Sequence, residues 1–142
     1  MSLKEVWNAE PPYEGNSRLL RRVLLGNAAF STLTGFISIL DATTLTRAFA
    51  IPDEWLLPSL GVQLLLFASA IVWVTTRPKL PMTLVWTIVG LDIAWVVGSA
   101  ALLPFVSDTL SAAGISALIL IALGVSGFAG GQIAGIRRLQ SI

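Results

Sequence analysis

Residues 82–103 read MTLVWTIVGLDIAWVVGSAALL, an apolar run that carries a single charge, Asp92. At ~1.5 Å of rise per helical residue such a run matches the ~30 Å hydrocarbon core of a bilayer, and in that core only a helix satisfies every backbone polar group within the run itself. Three more stretches, 19–40, 56–76 and 112–136, read the same way. Together they predict an all-α integral membrane protein: a four-helix bundle over residues 18–142, preceded by a polar tail over residues 1–17. An apolar share of 55% and a mean hydropathy of +0.82 leave too little polar surface to cover a water-soluble globule, which agrees with that class.

Charge gives the orientation, because short loops rich in Lys and Arg stay on the cytoplasmic side. Lys4, Arg18, Arg21, Arg22, Arg77, Lys79, Arg137 and Arg138 fall on one side, and Arg47 alone falls on the other with Asp41, Asp53, Glu54 and Asp108. Both termini are therefore expected in the cytoplasm, with the bacterial cytoplasmic membrane as the location. The tail has no apolar run ahead of the Arg cluster, so the first helix reads as a retained anchor rather than a cleaved signal. Its Trp7 and Tyr13 read as interfacial rings. Residues 43–50 predict a short interfacial helix, stopped by Pro52, that caps the outer mouth of the bundle. The connector Arg77, Pro78, Lys79, Leu80, Pro81 is tight and makes the second and third spans antiparallel neighbours.

Several function classes are excluded or disfavoured. With no Cys and no His there is no disulfide, thiolate metal site or His-ligated haem, and no cofactor is expected. Basic residues at helix ends do not form a surface that tracks phosphates, so nucleic acid is not an expected partner. No phosphate loop, metal cluster, nucleophile with a base, or pair of deep carboxylates is present, and the protein reads as non-enzymatic. Gly130, Gly131 and Gln132 follow no strand and are not a nucleotide motif.

Polar residues inside the spans carry the functional signal, since hydrocarbon makes them costly unless they face one another. Asp92 lies ten residues after Met82, or ~15 Å into the membrane, and Val85, Ile88, Trp95, Val96 and Ser99 share its helix face. On the first span Asn27, Ser31, Thr34 and Ser38 form one polar stripe, with Asn27 within about a turn of Asp92 in depth, so that its amide can donate to the carboxylate. Gln63 lies with Ser59 on one face of the second span, nearer the outside. The expected intramembrane network is Asn27, Gln63, Asp92, Trp95 and Ser99. Trp95 is deep and its indole needs an acceptor or a ligand, whereas Trp55, Trp73 and Trp86 fall at membrane boundaries as belt anchors.

Small residues form two strips that let helices approach closely. One is Gly124, Gly127, Gly131 and Gly135 on the fourth span; the other is Gly90, Ala94 and Gly98 on the third, opposite Asp92. One strip is expected to close the bundle and the other to receive a second protein or another copy.

The segments LRRVLLGNAAFS, residues 20–31, and LDIAWVVGS, residues 91–99, carry a resemblance to small four-span bacterial membrane proteins, broadly DoxX-like in size and layout. The resemblance implies a four-helix membrane fold and no established active site. The favoured role is an accessory or scaffold subunit of a membrane complex, or a self-associating bundle, in contact with the lipid bilayer. The alternatives are a small transporter or channel using Asp92, and a lipid or quinone binder near Trp95.

Overall fold

The computed structural model describes Ser2 and residues 14–140; Trp7 and Tyr13 lie outside the described residues. The described chain is helical throughout, with α1 over Glu14–Leu40, α2 over Ala42–Phe49, α3 over Leu56–Thr75, α4 over Met82–Val106 and α5 over Ala112–Gln140. Four of these, all except α2, are long and apolar enough to cross a membrane, the make-up of a multi-pass membrane bundle. Helix α1 is already helical at Glu14, ahead of the apolar run that begins at residue 19.

Local chemistry sets the ends. Helix α2 stops where Ala50 turns to φ 56°, with the Ala50 and Ile51 amides bonded back to the Arg47 and Thr46 carbonyls, a left-handed cap followed at once by Pro52. Helix α4 starts on Pro81, whose carbonyl accepts from the Leu84 and Val85 amides at 3.0 and 3.1 Å. Ser111 starts α5: its hydroxyl oxygen accepts from the Gly114 amide at 3.1 Å and donates to the Ala48 carbonyl at 2.6 Å, so one residue caps α5 and latches α2 across its end. Hydroxyls on the outer faces bond to their own helix: Ser69 to Leu65, Thr87 to Thr83 and Ser126 to Ala122. A lipid-facing hydroxyl needs such a partner because hydrocarbon offers none.

The spans are ordered α3, α1, α5, α4 around the bundle. Helix α1 packs most extensively on α3 and then on α5, and α5 packs on α4. Helices α3 and α4 run antiparallel but barely meet, although only a short proline-flanked turn separates them. That turn sets their directions and leaves their separation free. Glycines explain the tightest contact. A Cβ on Gly61 would stand 2.7 Å from the Gly35 carbonyl oxygen and 2.6 Å from Ile39, so α1 and α3 meet where neither carries a side chain.

The two strips of small residues have different fates. On α5, a Cβ at Gly135 would lie 2.9 Å from Leu20, at Gly131 3.0 Å from Val23 and at Gly124 3.5 Å from Phe30, so these three positions pack on α1; Gly127 has open space. On α4, Gly90 and Gly98 also meet nothing within 4 Å, and Ala94 is exposed. The α4 strip plays no part in closing this bundle.

The packed core occupies one end. Leu20, Leu24, Ile71, Val85, Val89 and Ile136 are each no more than 1% exposed, and all lie toward the end of the bundle that carries the α3–α4 turn. Arg21 locks that end by donating to the Thr75 carbonyl at 2.6 Å and the Pro78 carbonyl at 2.9 Å, which occupies acceptors that the end of α3 leaves open.

Candidate functional site

Beyond the packed end the helices enclose a cavity of about 450 Å³, within the range of small-molecule sites. Its polar wall is the α1 stripe, Asn27, Ser31, Thr34 and Ser38, facing Asp92 and Trp95 of α4. The stripe points inward because its spacings of four, three and four keep it on one helix face. Leucines of α3, together with Ile121 and Val125 of α5, make the apolar wall. Leu45 and Phe49 of α2 close the end away from the core. Phe49 is held there by Gly114, whose missing side chain leaves room for it: a Cβ would meet the Phe49 carbonyl oxygen at 2.8 Å.

The packed core lies at one end of the cavity and α2 at the other, and the cavity borders the gap where α3 and α4 diverge. Ile37 of α1, Gln63 of α3 and Leu91 of α4 line the cavity while being exposed on the outer surface, and they mark its rim. That surface is otherwise apolar, with Val62, Leu66 and Leu91 all more than half exposed.

The deepest polar contact joins α1 to α4. The Asn27 amide Nδ2 donates to Asp92 Oδ2 at 2.7 Å, and the Ser31 hydroxyl donates to Asn27 Oδ1 at 3.4 Å. Asn27 and Asp92 are 1% and 3% exposed, and their side chains bridge two helices whose backbones do not otherwise approach. Trp95, one turn along α4, is half-buried; its indole Nε1 is shielded and has no hydrogen-bond partner. Ser99 is buried further along the same face. Gln63 does not join Asp92; it stands at the rim.

The residue that does reach Asp92 from a third helix is Gln132 of α5. It is fully buried beside the carboxyl, and neither of its amide atoms makes a hydrogen bond of good geometry. Gln132 is the one amide or charged side chain in the run 112–136, so the cost argument that singles out Asp92 applies to it equally. What hid it was its place in a glycine-rich segment that reads as packing surface.

Chemically the site offers a carboxyl group, hydroxyls and an amide on one side of an apolar chamber. No group of three or more metal-ligating side chains exists among the described residues. The arrangement can hold a molecule and orient its polar end. Comparison with protein-family models, curated proteins and solved structures finds no match, and nothing in it bears on a DoxX-like classification.

Proposed function

We propose that this protein binds a small, largely apolar molecule taken laterally from the membrane, with the polar end of that molecule at Asp92. The cavity carries this reading: it lies between the packed core and α2, and it borders the gap between α3 and α4, whose outer faces are apolar. A chamber needed only for stability would be filled, because unfilled space in a core forfeits packing contacts. The polar wall fixes orientation and the apolar wall supplies contact area, the division of labour usual in small-molecule sites. No reacting group beyond the single carboxyl is needed, and the function is binding without catalysis.

The cytoplasmic membrane of a bacterium is the proposed location, with both termini on the cytoplasmic side. Support comes from Arg18, Arg21, Arg22, Arg77, Lys79, Arg137 and Arg138 at the packed end against Arg47 at the other. The cavity then lies in the outer half of the bilayer. An accessory-subunit role would use the bare strip at Gly90, Ala94 and Gly98, but no feature of that strip defines a partner's chemistry.

Gentle extraction followed by native mass spectrometry tests the binding. The wild-type protein is expected to carry one small molecule per chain, and Leu64→Trp, which fills the chamber from α3, is expected to lose it. A set of bound masses unchanged by Leu64→Trp overturns the reading.

A further inference from the structure

The charge on the cavity wall is of one sign. Asp92 lines the chamber, and none of the lining residues is Lys or Arg. Within the protein the carboxyl accepts one well-formed hydrogen bond, from the neutral amide of Asn27, and the buried Gln132 amide lies beside it. Both neighbours are neutral, and two amides still leave part of the carboxylate's roughly four lone-pair sites open. In hydrocarbon a neutral amide offsets part of the desolvation of a carboxylate, and a cation offsets far more. Aromatic rings complete the pattern. Phe30, Phe49, Phe67 and Trp95 all line the same chamber. Ring faces attract ammonium groups, most strongly where water is excluded.

We infer that the molecule is a lipophilic amine, bound as its ammonium with N–H groups donating to Asp92, Trp95 one turn away along α4, and an apolar body lying along the leucine and phenylalanine wall. An anionic head would meet Asp92 with like charge, and a neutral chain would use the leucine wall alone. The inference rests on the cavity being a ligand site, as proposed above.

Three ten-carbon probes separate these chemistries: decylamine, decanol and decanoate, each measured for binding to the purified protein in phosphatidylcholine nanodiscs against empty nanodiscs of the same lipid. Decylamine is expected to saturate at one per chain and to bind at least about tenfold more tightly than decanol, as suits a charge-assisted hydrogen bond, with decanoate weakest. Asp92→Asn is expected to remove the gap between amine and alcohol while decanol binding persists, and Asp92→Glu to keep it. Equal binding of all three probes, or a preference for decanoate, overturns the amine assignment and leaves the cavity reading standing. Absence of saturable binding by every probe overturns both. Should Asp92→Asn fail to fold, the order of the three probes on the wild-type protein and on Asp92→Glu decides.

Discussion

The two halves of this bundle use the same four helices to opposite ends. At the turn end, Leu20, Leu24, Ile71, Val85, Val89 and Ile136 fill the space between helices almost completely, and Arg21 ties α1 to the α3–α4 turn. At the α2 end α1 and α3 still touch at Gly35 and Gly61, but α3 and α4 stand apart and about 450 Å³ stays unfilled. In lipid the hydrophobic effect does not drive helices together, so a bundle is held by packing, interhelical hydrogen bonds and close backbone approach. The packed half supplies the first two together with the Gly131 and Gly135 contacts, and the Gly35–Gly61 crossing holds α1 to α3 in the other half, so that a chamber can stay open beside it.

The largest expected effect strikes the crossing on which both halves depend. Gly61→Leu places atoms where Ile39 and the Gly35 carbonyl already stand, and forcing α1 and α3 apart is expected to cost about 3 kcal/mol or more. Reversible unfolding in mixed micelles should show the loss. A change below about 1 kcal/mol would show that α1 and α3 are not held together there.

A direct comparison of the halves comes next. Ile71→Ala removes a fully buried side chain from the packed end and is expected to cost about 2 kcal/mol. Leu64→Ala, at a wall that already borders empty space, is expected to cost under about 1 kcal/mol, because few partner atoms are lost. Equal costs would mean that the chamber is closed in the working protein.

The boundary between the halves is the Asn27–Asp92 bond. Asn27→Leu leaves a buried carboxyl without its donor and is expected to destabilise by about 1–3 kcal/mol, whereas Asp92→Asn keeps a polar pair and is expected to stay within about 1 kcal/mol of wild type. The same unfolding assay reads both. The reverse order would show that Asp92 is held chiefly by groups other than Asn27.

How much of this is legible in the sequence follows from the kind of question asked. The spans and the inward stripe of α1 are legible because hydrocarbon penalises polar groups uniformly and helical spacing is fixed. Depth along a helix is also countable, and it is depth that sets Asn27 level with Asp92. Rotation and separation are not countable. Gln63 and Gln132 differ little as isolated amides in apolar runs, yet one stands at the rim and the other beside Asp92, because packing sets the rotation of each helix. The splay of α3 from α4 is silent for the same reason: the turn through Pro78 and Pro81 dictates antiparallel direction only. Gly35 and Gly61 are single glycines within apolar runs, and their pairing requires knowing which helices cross. The chamber is an absence of atoms, to which no residue corresponds.

The smallest expected effect concerns the face that neither half uses. Gly90→Ala and Gly98→Ala add a methyl group where nothing lies within 4 Å, while Gly135→Ala adds one that would stand 2.9 Å from Leu20. In purified protein the two α4 changes are expected to alter stability by no more than about 0.5 kcal/mol, and to raise it slightly if anything, since Ala is the better helix former. Gly135→Ala is expected to destabilise by about 1–3 kcal/mol because the Leu20 backbone has to move. The informative step is to repeat the α4 pair in the native membrane, following the protein's abundance and the mass of its complexes. Helix backbones that meet at glycine tolerate no added methyl group, so a partner seated on this strip would be displaced by Gly90→Ala or Gly98→Ala even though the isolated bundle ignores them. Unchanged complexes in both membranes and detergent would assign the strip to lipid and leave the chamber between α3 and α4 as the surface through which this protein meets its surroundings.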